Sequence, residues 1–231
     1  MTSTPHGSAL PDDAPLDPVT VEGRVARHGW RVLGRELTLH VRTGSFARGA
    51  DLVAAIARIA DELDHHPDVH VTYGSVRLAV SSHDVGGLTG RDVALALAIG
   101  SLVESRGLEP DVLALTTLEV AIDALDIEAV RPFWAAVLGW EHDARTGDLN
   151  DPVGVGPALW FQQMDVPRPQ RNRVHVDVHV ARDHAEARVE AALAAGGRLV
   201  SDAAAPSFWV LADPEGNEAC VCTPVDHEED A

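Results

Sequence analysis

Lysine does not occur in this chain of 231 residues, so every one of its 18 basic residues is arginine. Without lysine there is no side-chain amine for a Schiff base, and none for the loop with which P-loop nucleotidases grip phosphate. Cysteine is almost as scarce: Cys220 and Cys222 are the only two. On a strand, residues two apart share a face, a poor arrangement for a mutual disulfide, so two small buried side chains is the simpler reading. No apolar run approaches the roughly 20 residues needed to cross a bilayer. The opening "MTSTPHGSALPDDAPLDP" has neither a basic start nor an apolar stretch, so no secretory signal is expected and a cytoplasmic protein is. There is no basic run either, and the formal net charge is −18. Such a chain repels phosphate backbones, which argues against nucleic acid as a partner, and nothing in it asks for a membrane.

What is present divides into two halves. Residues 1–15 and 226–231 read as a disordered tail and an acidic tail, from their Pro, Ser, Asp and Glu content. Between them the first half alternates between two periods. "VTVEGRVARHG" reads as a short helix. "WRVLG" and "ELTLHVRTG" read as a strand pair, with Leu37, Leu39 and Val41 on one face. "SFARGADLVAAIARIADEL" is a helix with apolar Leu52, Ile56, Ile59 and Leu63, and Ser45 is placed to cap it. Two more strands, "VHVTYG" and "SVRLAVSS", precede a closing helix that starts at Thr89 and stops at Gly107. The expectation is an α+β fold over residues 16–108, in the order α-β-β-α-β-β-α, with helices on one face of the sheet. After the punctuation of "GLEPDV", the second half repeats itself. "TLEVAI" followed by helix "IEAVRPFWAAVLG" matches "RVHVDVHV" followed by helix "HAEARVEAALAAGG", and further strands follow each helix. Such copies usually close one core together, so residues 112–225 are expected to form a single paired β-α-β-β-β domain.

The first half also holds a constellation of polar side chains. Within "DELDHHPDVHVTYGSVRLAVSSHDVGGLTGRD", Asp61 stands four residues before His65. His66 and Pro67 follow. Tyr73, the only tyrosine, comes after five intervening residues, His83 after nine more and Asp92 after eight more. Pro67 disfavours helical geometry at His66, so the long helix should end there, with Asp61 and His65 on one face at i,i+4. The negative end of the helix and Asp61 both favour imidazolium at this point, as suits a group that donates a proton near neutrality. Asp92 falls on the first turn of the next helix, where it can orient a histidine or complement the dipole. His70 alternates with Val69 and Val71 and reads as solvent-facing. A metal site is the weaker reading, because adjacent histidines on a helix diverge and no cysteine is near.

The complete spacing, acidic-x3-His-His-Pro-x5-aromatic-x9-His-x8-Asp, resembles the signature of the pterin-4a-carbinolamine dehydratases. Gly29-Trp30, Phe46 and "HDVGGLT" extend the resemblance over residues 16–108. It implies a lyase that expels the 4a hydroxyl of a 4a-hydroxy-tetrahydropterin to give quinonoid dihydropterin, using acid and base groups and no cofactor. It implies His65, His66, His83 and Asp92 as the catalytic set, with Asp61, Pro67 and Tyr73 supporting or binding substrate. Its implied partners are a pterin, a pterin-dependent hydroxylase and further copies of the chain. A non-catalytic dimerisation or binding cofactor is the alternative that the same family offers.

The second half resembles the glyoxalase-like, vicinal-oxygen-chelate superfamily through "FWAAVLGW" and "DPEGN". That resemblance implies metal-ligand positions at Glu119, His175 and Cys220, with Gln162 or Gln163 near a fourth. Cys220 departs from the usual glutamate. A metal-free module is therefore expected, with a metal-dependent glyoxalase-like enzyme as the alternative. Trp134, Trp160 and Trp209 are candidates to line a pocket for a planar ligand.

Overall fold

The computed structural model describes residues 10–12, 14–168, 170 and 174–223. The chain divides into two compact units, residues 1–117 and 118–231. Among the described residues, no helix is long and apolar enough to cross a membrane.

The first unit runs α1 (Pro18–Val25), β1 (Arg31–Leu33), β2 (Glu36–Arg42), α2 (Phe46–Leu63), β3 (Asp68–Val71), β4 (Ser75–Val80), α3 (Gly90–Ser105) and a two-residue β5 (Glu109–Pro110). Its sheet has the order β1-β2-β4-β3, with β5 added beside β2, and every pairing is antiparallel. Alternation gives this sheet one apolar face: Leu37, Leu39 and Val41 of β2 and Val76, Leu78 and Val80 of β4 are buried, as a period of two requires. They pack with Trp30, Leu52, Ile56, Leu95 and Ile99 in one core. Each such aliphatic chain contributes about 1.5–3 kcal/mol by leaving water. Ser45 caps α2 by accepting from the Arg48 N–H at 3.3 Å. The apolar stripe of α2 stops short of the helix end, since Ile59 is half-buried and Leu63 exposed.

The tail expected over residues 1–15 is ordered at its far end. The Pro11 carbonyl accepts from the Gly90 N–H at 2.7 Å, and Leu10 packs against the core. An open helix N-terminus offers unpaired amides that a nearby carbonyl can satisfy. The rest of that tail, Asp12, Ala14 and Pro15 apart, and the acidic tail over 226–231, lie outside the described residues.

The second unit holds two copies of one motif: β6 (Glu119–Ala124), α4 (Ile127–Leu138), β7 (Glu141–His142), β8 (Leu149–Asn150), β9 (Ala158–Gln163), then β10 (Val176–His179), α5 (Ala185–Ala194), β11 (Arg198–Ser201), β12 (Phe208–Ala212), β13 (Glu218–Cys222). The sheets have matching orders, β6-β9-β8-β7 and β10-β13-β12-β11. In each, the first strand lies parallel to the last. One core takes Val130, Phe133, Trp134 and Leu159 from the first copy and Val189, Leu211, Ala219 and Val221 from the second.

The "DPEGN" turn ties the copies together. Glu215 accepts from the backbone N–H groups of Leu125 at 2.8 Å and Asp126 at 2.6 Å, at the start of α4. Asp213 is fully buried and accepts from Trp134 Nε1 at 3.0 Å, the Glu215 N–H at 2.9 Å, and the Asn217 N–H and Nδ2, both at 2.8 Å. Asp213→Ala orphans these donors in the core and is expected to cost the second unit about 3 kcal/mol or more in urea unfolding. An unchanged midpoint for the second unit would show that the turn does not hold it.

Candidate functional site

The site starts where α2 stops. Asp64 adopts a left-handed conformation, φ 48°, and its N–H turns back to the Ala60 carbonyl. It is the only non-glycine residue with positive φ among the described residues. Asp tolerates this region better than most residues. The consequence is a change of direction one residue before the histidines. The helix ends at Leu63 rather than at His66, so the i,i+4 register expected between Asp61 and His65 is lost. Asp61 Oδ1 instead lies 3.1 Å from His66 Nε2, an exposed pair. His65 turns inward and is buried. Pro67, half-buried, then directs the chain into β3.

Inside, His65 Nε2 lies 2.7 Å from Asp92 Oδ1. Asp92 is fully buried and sits in the first turn of α3. Its other oxygen, Oδ2, accepts from the Thr89 N–H at 2.6 Å, Thr89 Oγ1 at 3.1 Å and Ser82 Oγ at 2.7 Å. The Thr89 bond is half of a capping box that starts the helix, so the residue that opens α3 also fixes the histidine. A carboxylate held by several donors is an acceptor towards its last neighbour. The His65 Nε2 therefore carries the proton of that bond, and Nδ1 is the nitrogen left to act elsewhere. Ser82 and Thr89 were absent from the sequence-based set. A hydroxyl residue beside each end of "HDVGGL" was the one available signal.

His83 follows Ser82, whose bridge to Gly87 closes the loop. Gly86 takes φ 69° within it, a conformation that suits glycine. Asp84 and Arg91 clamp the loop through contacts of 2.7 and 2.9 Å, and the guanidinium holds the Asp84 carboxyl below its usual range. His66 and His83 flank the same end of the β3–β4 hairpin, because Asp68 pairs with Ala79 there. Tyr73 is in the turn at the other end, beyond the Val71–Val76 pair, and is exposed. Four residues of β3 separate the two ends by about 13 Å. The structure brings Asp61 to His66 and Asp92 to His65, and leaves Tyr73 apart from them. His70 is exposed on β3.

In the second unit, His175 and Cys220 come together with Asp177. The ligand atoms of all three lie within 4.8 Å of one another. Asp177 pairs with Cys220 across the parallel β10–β13 ladder, two residues from His175, so the three share a face. Glu119, exposed on β6, is not part of this group. An imidazole, a carboxylate and a thiol suit a zinc-like cation. Without one, burial and then the Asp177 carboxylate push the Cys220 thiol up to about 11, so it is a neutral thiol at pH 7. Cys222 is half-buried and also free. A cleft of about 770 Å³ lies nearby, lined by Val120, Asp123, Arg168, His175, Glu215 and Glu218 among others. Trp134 borders it but belongs to the core, its indole held by Asp213. Trp160 and Trp209 are half-buried and do not line it. Gln163 is occupied with the carbonyls of Leu125 and Met164, each at 2.9 Å, and Gln162 is exposed.

Comparison with known proteins assigns the two units separately. The profile described as Pterin 4 alpha carbinolamine dehydratase matches residues 14–102. The profile described as Glyoxalase-like domain matches residues 119–222. A Streptomyces coelicolor protein, provisionally named pterin-4-alpha-carbinolamine dehydratase, is 40% identical over 95 residues, spanning 40% of this chain and 94% of that protein. One of the same provisional name from Saccharolobus solfataricus is 40% identical over 81 residues, spanning 34% of this chain and 84% of its own. Among solved structures, a glyoxalase-related enzyme from Fulvimarina pelagi is 19% identical, with a TM-score of 0.37, covering 50% of this chain and 94% of its own.

Proposed function

The chain belongs, through residues 14–102, to the pterin 4 alpha carbinolamine dehydratase family, and from this we propose that its first domain is a hydro-lyase that dehydrates 4a-hydroxy-tetrahydropterin to quinonoid dihydropterin. The reaction expels the 4a hydroxyl as water. One proton reaches the leaving oxygen, the adjacent nitrogen gives up another, and a carbon–nitrogen double bond forms. No electrons leave the substrate, so acid and base groups suffice.

The observation that carries this reading is the buried His65–Asp92 pair, which joins both ends of the motif at 2.7 Å. A histidine so held cannot swing, which suits it to fix the pterin. His66 and His83 are exposed at the same end of the β3–β4 hairpin, and we assign proton transfer to them. Asp61 supports His66. A pterin-dependent hydroxylase would supply the carbinolamine, in the cytoplasm. The second domain takes no part in this step.

The test generates the carbinolamine in situ with a pterin-dependent hydroxylase and follows quinonoid dihydropterin by absorbance. The full chain is expected to exceed the uncatalysed rate by at least about tenfold, with no loss after treatment with chelator. A rate equal to the uncatalysed one removes the proposal. A rate lost with the chelator replaces its metal-free mechanism.

A further inference from the structure

The second unit holds a cluster of donors that the dehydration step does not use. Around β10, His175 and Asp177 alternate with Val176 and Val178, which pack on the core. On β13, Cys220 lies between Ala219 and Val221, both in that core. The parallel ladder sets Asp177 opposite Cys220. Alternation therefore puts the imidazole, the carboxylate and the thiol together on the face opposite the core. They converge there, with all three ligand atoms within 4.8 Å of one another. His175 Nε2 is 3.3 Å from Asp177 Oδ1. A charge-assisted hydrogen bond between such groups is shorter, about 2.7–2.9 Å, as the 2.7 Å between His65 and Asp92 illustrates. Two ligands held at about 2.0–2.1 Å from one tetrahedral ion stand about 3.3 Å apart. The pair is thus spaced as two corners of one zinc tetrahedron. Cys220 is buried while His175 and Asp177 are exposed, so a cation can arrive from solvent and be anchored from inside the fold. His175 also lines the 770 Å³ cleft. Three protein ligands leave a fourth position for water or for a molecule in that cleft.

We propose that His175, Asp177 and Cys220 bind a zinc-like divalent cation, with all three protein ligands drawn from one half of the second unit. The donor set selects the ion. A soft thiolate beside an imidazole favours zinc over magnesium and calcium, which prefer oxygen alone. On binding, the Cys220 thiol gives its proton to solvent and a metal–sulfur bond takes its place. Glu119, on β6 in the other half, is outside the set. The site therefore departs both from a metal-free module and from a ligand set shared between the halves. The physical reason is the strand register: Asp177 brings a carboxylate level with Cys220, so the thiol does not stand alone with the histidine. The site is independent of the dehydratase reading of the first domain.

The experiment titrates the full-length chain, reduced and stripped with chelator, first with Co²⁺ and then with Zn²⁺. Wild type is expected to show a thiolate-to-cobalt charge-transfer band in the near ultraviolet and the intense visible absorption of tetrahedral cobalt. Zinc should displace both, and at saturation should raise the thermal midpoint of the second unit by about 5 °C or more. His175→Ala, Asp177→Ala and Cys220→Ser should each weaken zinc binding by at least about 10- to 100-fold. Cys220→Ser should also abolish the charge-transfer band. Glu119→Gln and Cys222→Ser should bind within about threefold of wild type. His175 and Asp177 are exposed, so their variants should keep the fold, which circular dichroism checks. A wild type without the charge-transfer band, or His175→Ala and Asp177→Ala proteins that bind zinc as wild type does, overturns the site. A loss in Glu119→Gln as large as theirs overturns the ligand set drawn from one half.

Discussion

Asp92→Asn is expected to lower dehydration by about 10²–10⁴-fold, as loss of a working acid–base arrangement does. The reason is donor and acceptor balance around a fully buried carboxylate. Oδ2 accepts from Thr89 N–H, Thr89 Oγ1 and Ser82 Oγ, and Oδ1 meets His65 Nε2. An asparagine amide has one oxygen for these neighbours. If the oxygen stays with Thr89 and Ser82, the NH₂ faces Nε2 and forces the proton to Nδ1, reversing the tautomer. If the amide flips, the NH₂ opposes the Thr89 N–H and the helix cap fails. Either outcome leaves a buried donor unmatched, so stability should drop by about 2–4 kcal/mol in urea unfolding. Ser82→Ala separates the two effects. It removes one donor and leaves the His65 bond, so it should cost about 1 kcal/mol and only a few-fold in rate. An Asp92→Asn protein that turns over at the wild-type rate would show that the orientation of His65 does not matter.

The elements of the first unit were legible because each rests on a local period or a cap. Leu37, Leu39 and Val41 alternate, Ser45 and Thr89 cap, and all are found in those roles. The repeat in the second unit was legible as repeated order, while the two-residue β8 was too short to leave a pattern. The site was legible as a list of residue types, and its pairings were not. Helical spacing pointed Asp61 at His65, but one left-handed residue, Asp64, rotated the histidines and gave Asp61 to His66. Nothing in a sequence announces a non-glycine residue at positive φ. Asp177 could have been found. It lies two residues from His175, and strand alternation alone puts both on one face.

His83→Ala should lower kcat/KM by about 10²–10⁴-fold while leaving the fold within about 0.5 kcal/mol of wild type. The small stability effect follows from position. His83 is exposed on a loop whose shape is set by the Ser82–Gly87 bridge and the Asp84–Arg91 contacts. The alanine variant keeps all of them. That separation distinguishes His83 from His65, whose loss would open a buried gap beside Asp92 and confuse chemistry with folding. His70→Ala, on exposed β3, is the matched control and should act as wild type. His66→Ala should also be slow, since two protons move in the reaction and two exposed histidines flank one end of the hairpin. If they act on the same transition state, the double variant will be little worse than the slower single one, because groups that work as a unit are not additive. Added imidazole should restore part of the lost rate in His83→Ala, which a purely structural histidine would not allow. A His83→Ala protein with more than half the wild-type activity would remove His83 from proton transfer and leave His66, backed by Asp61, to carry it alone.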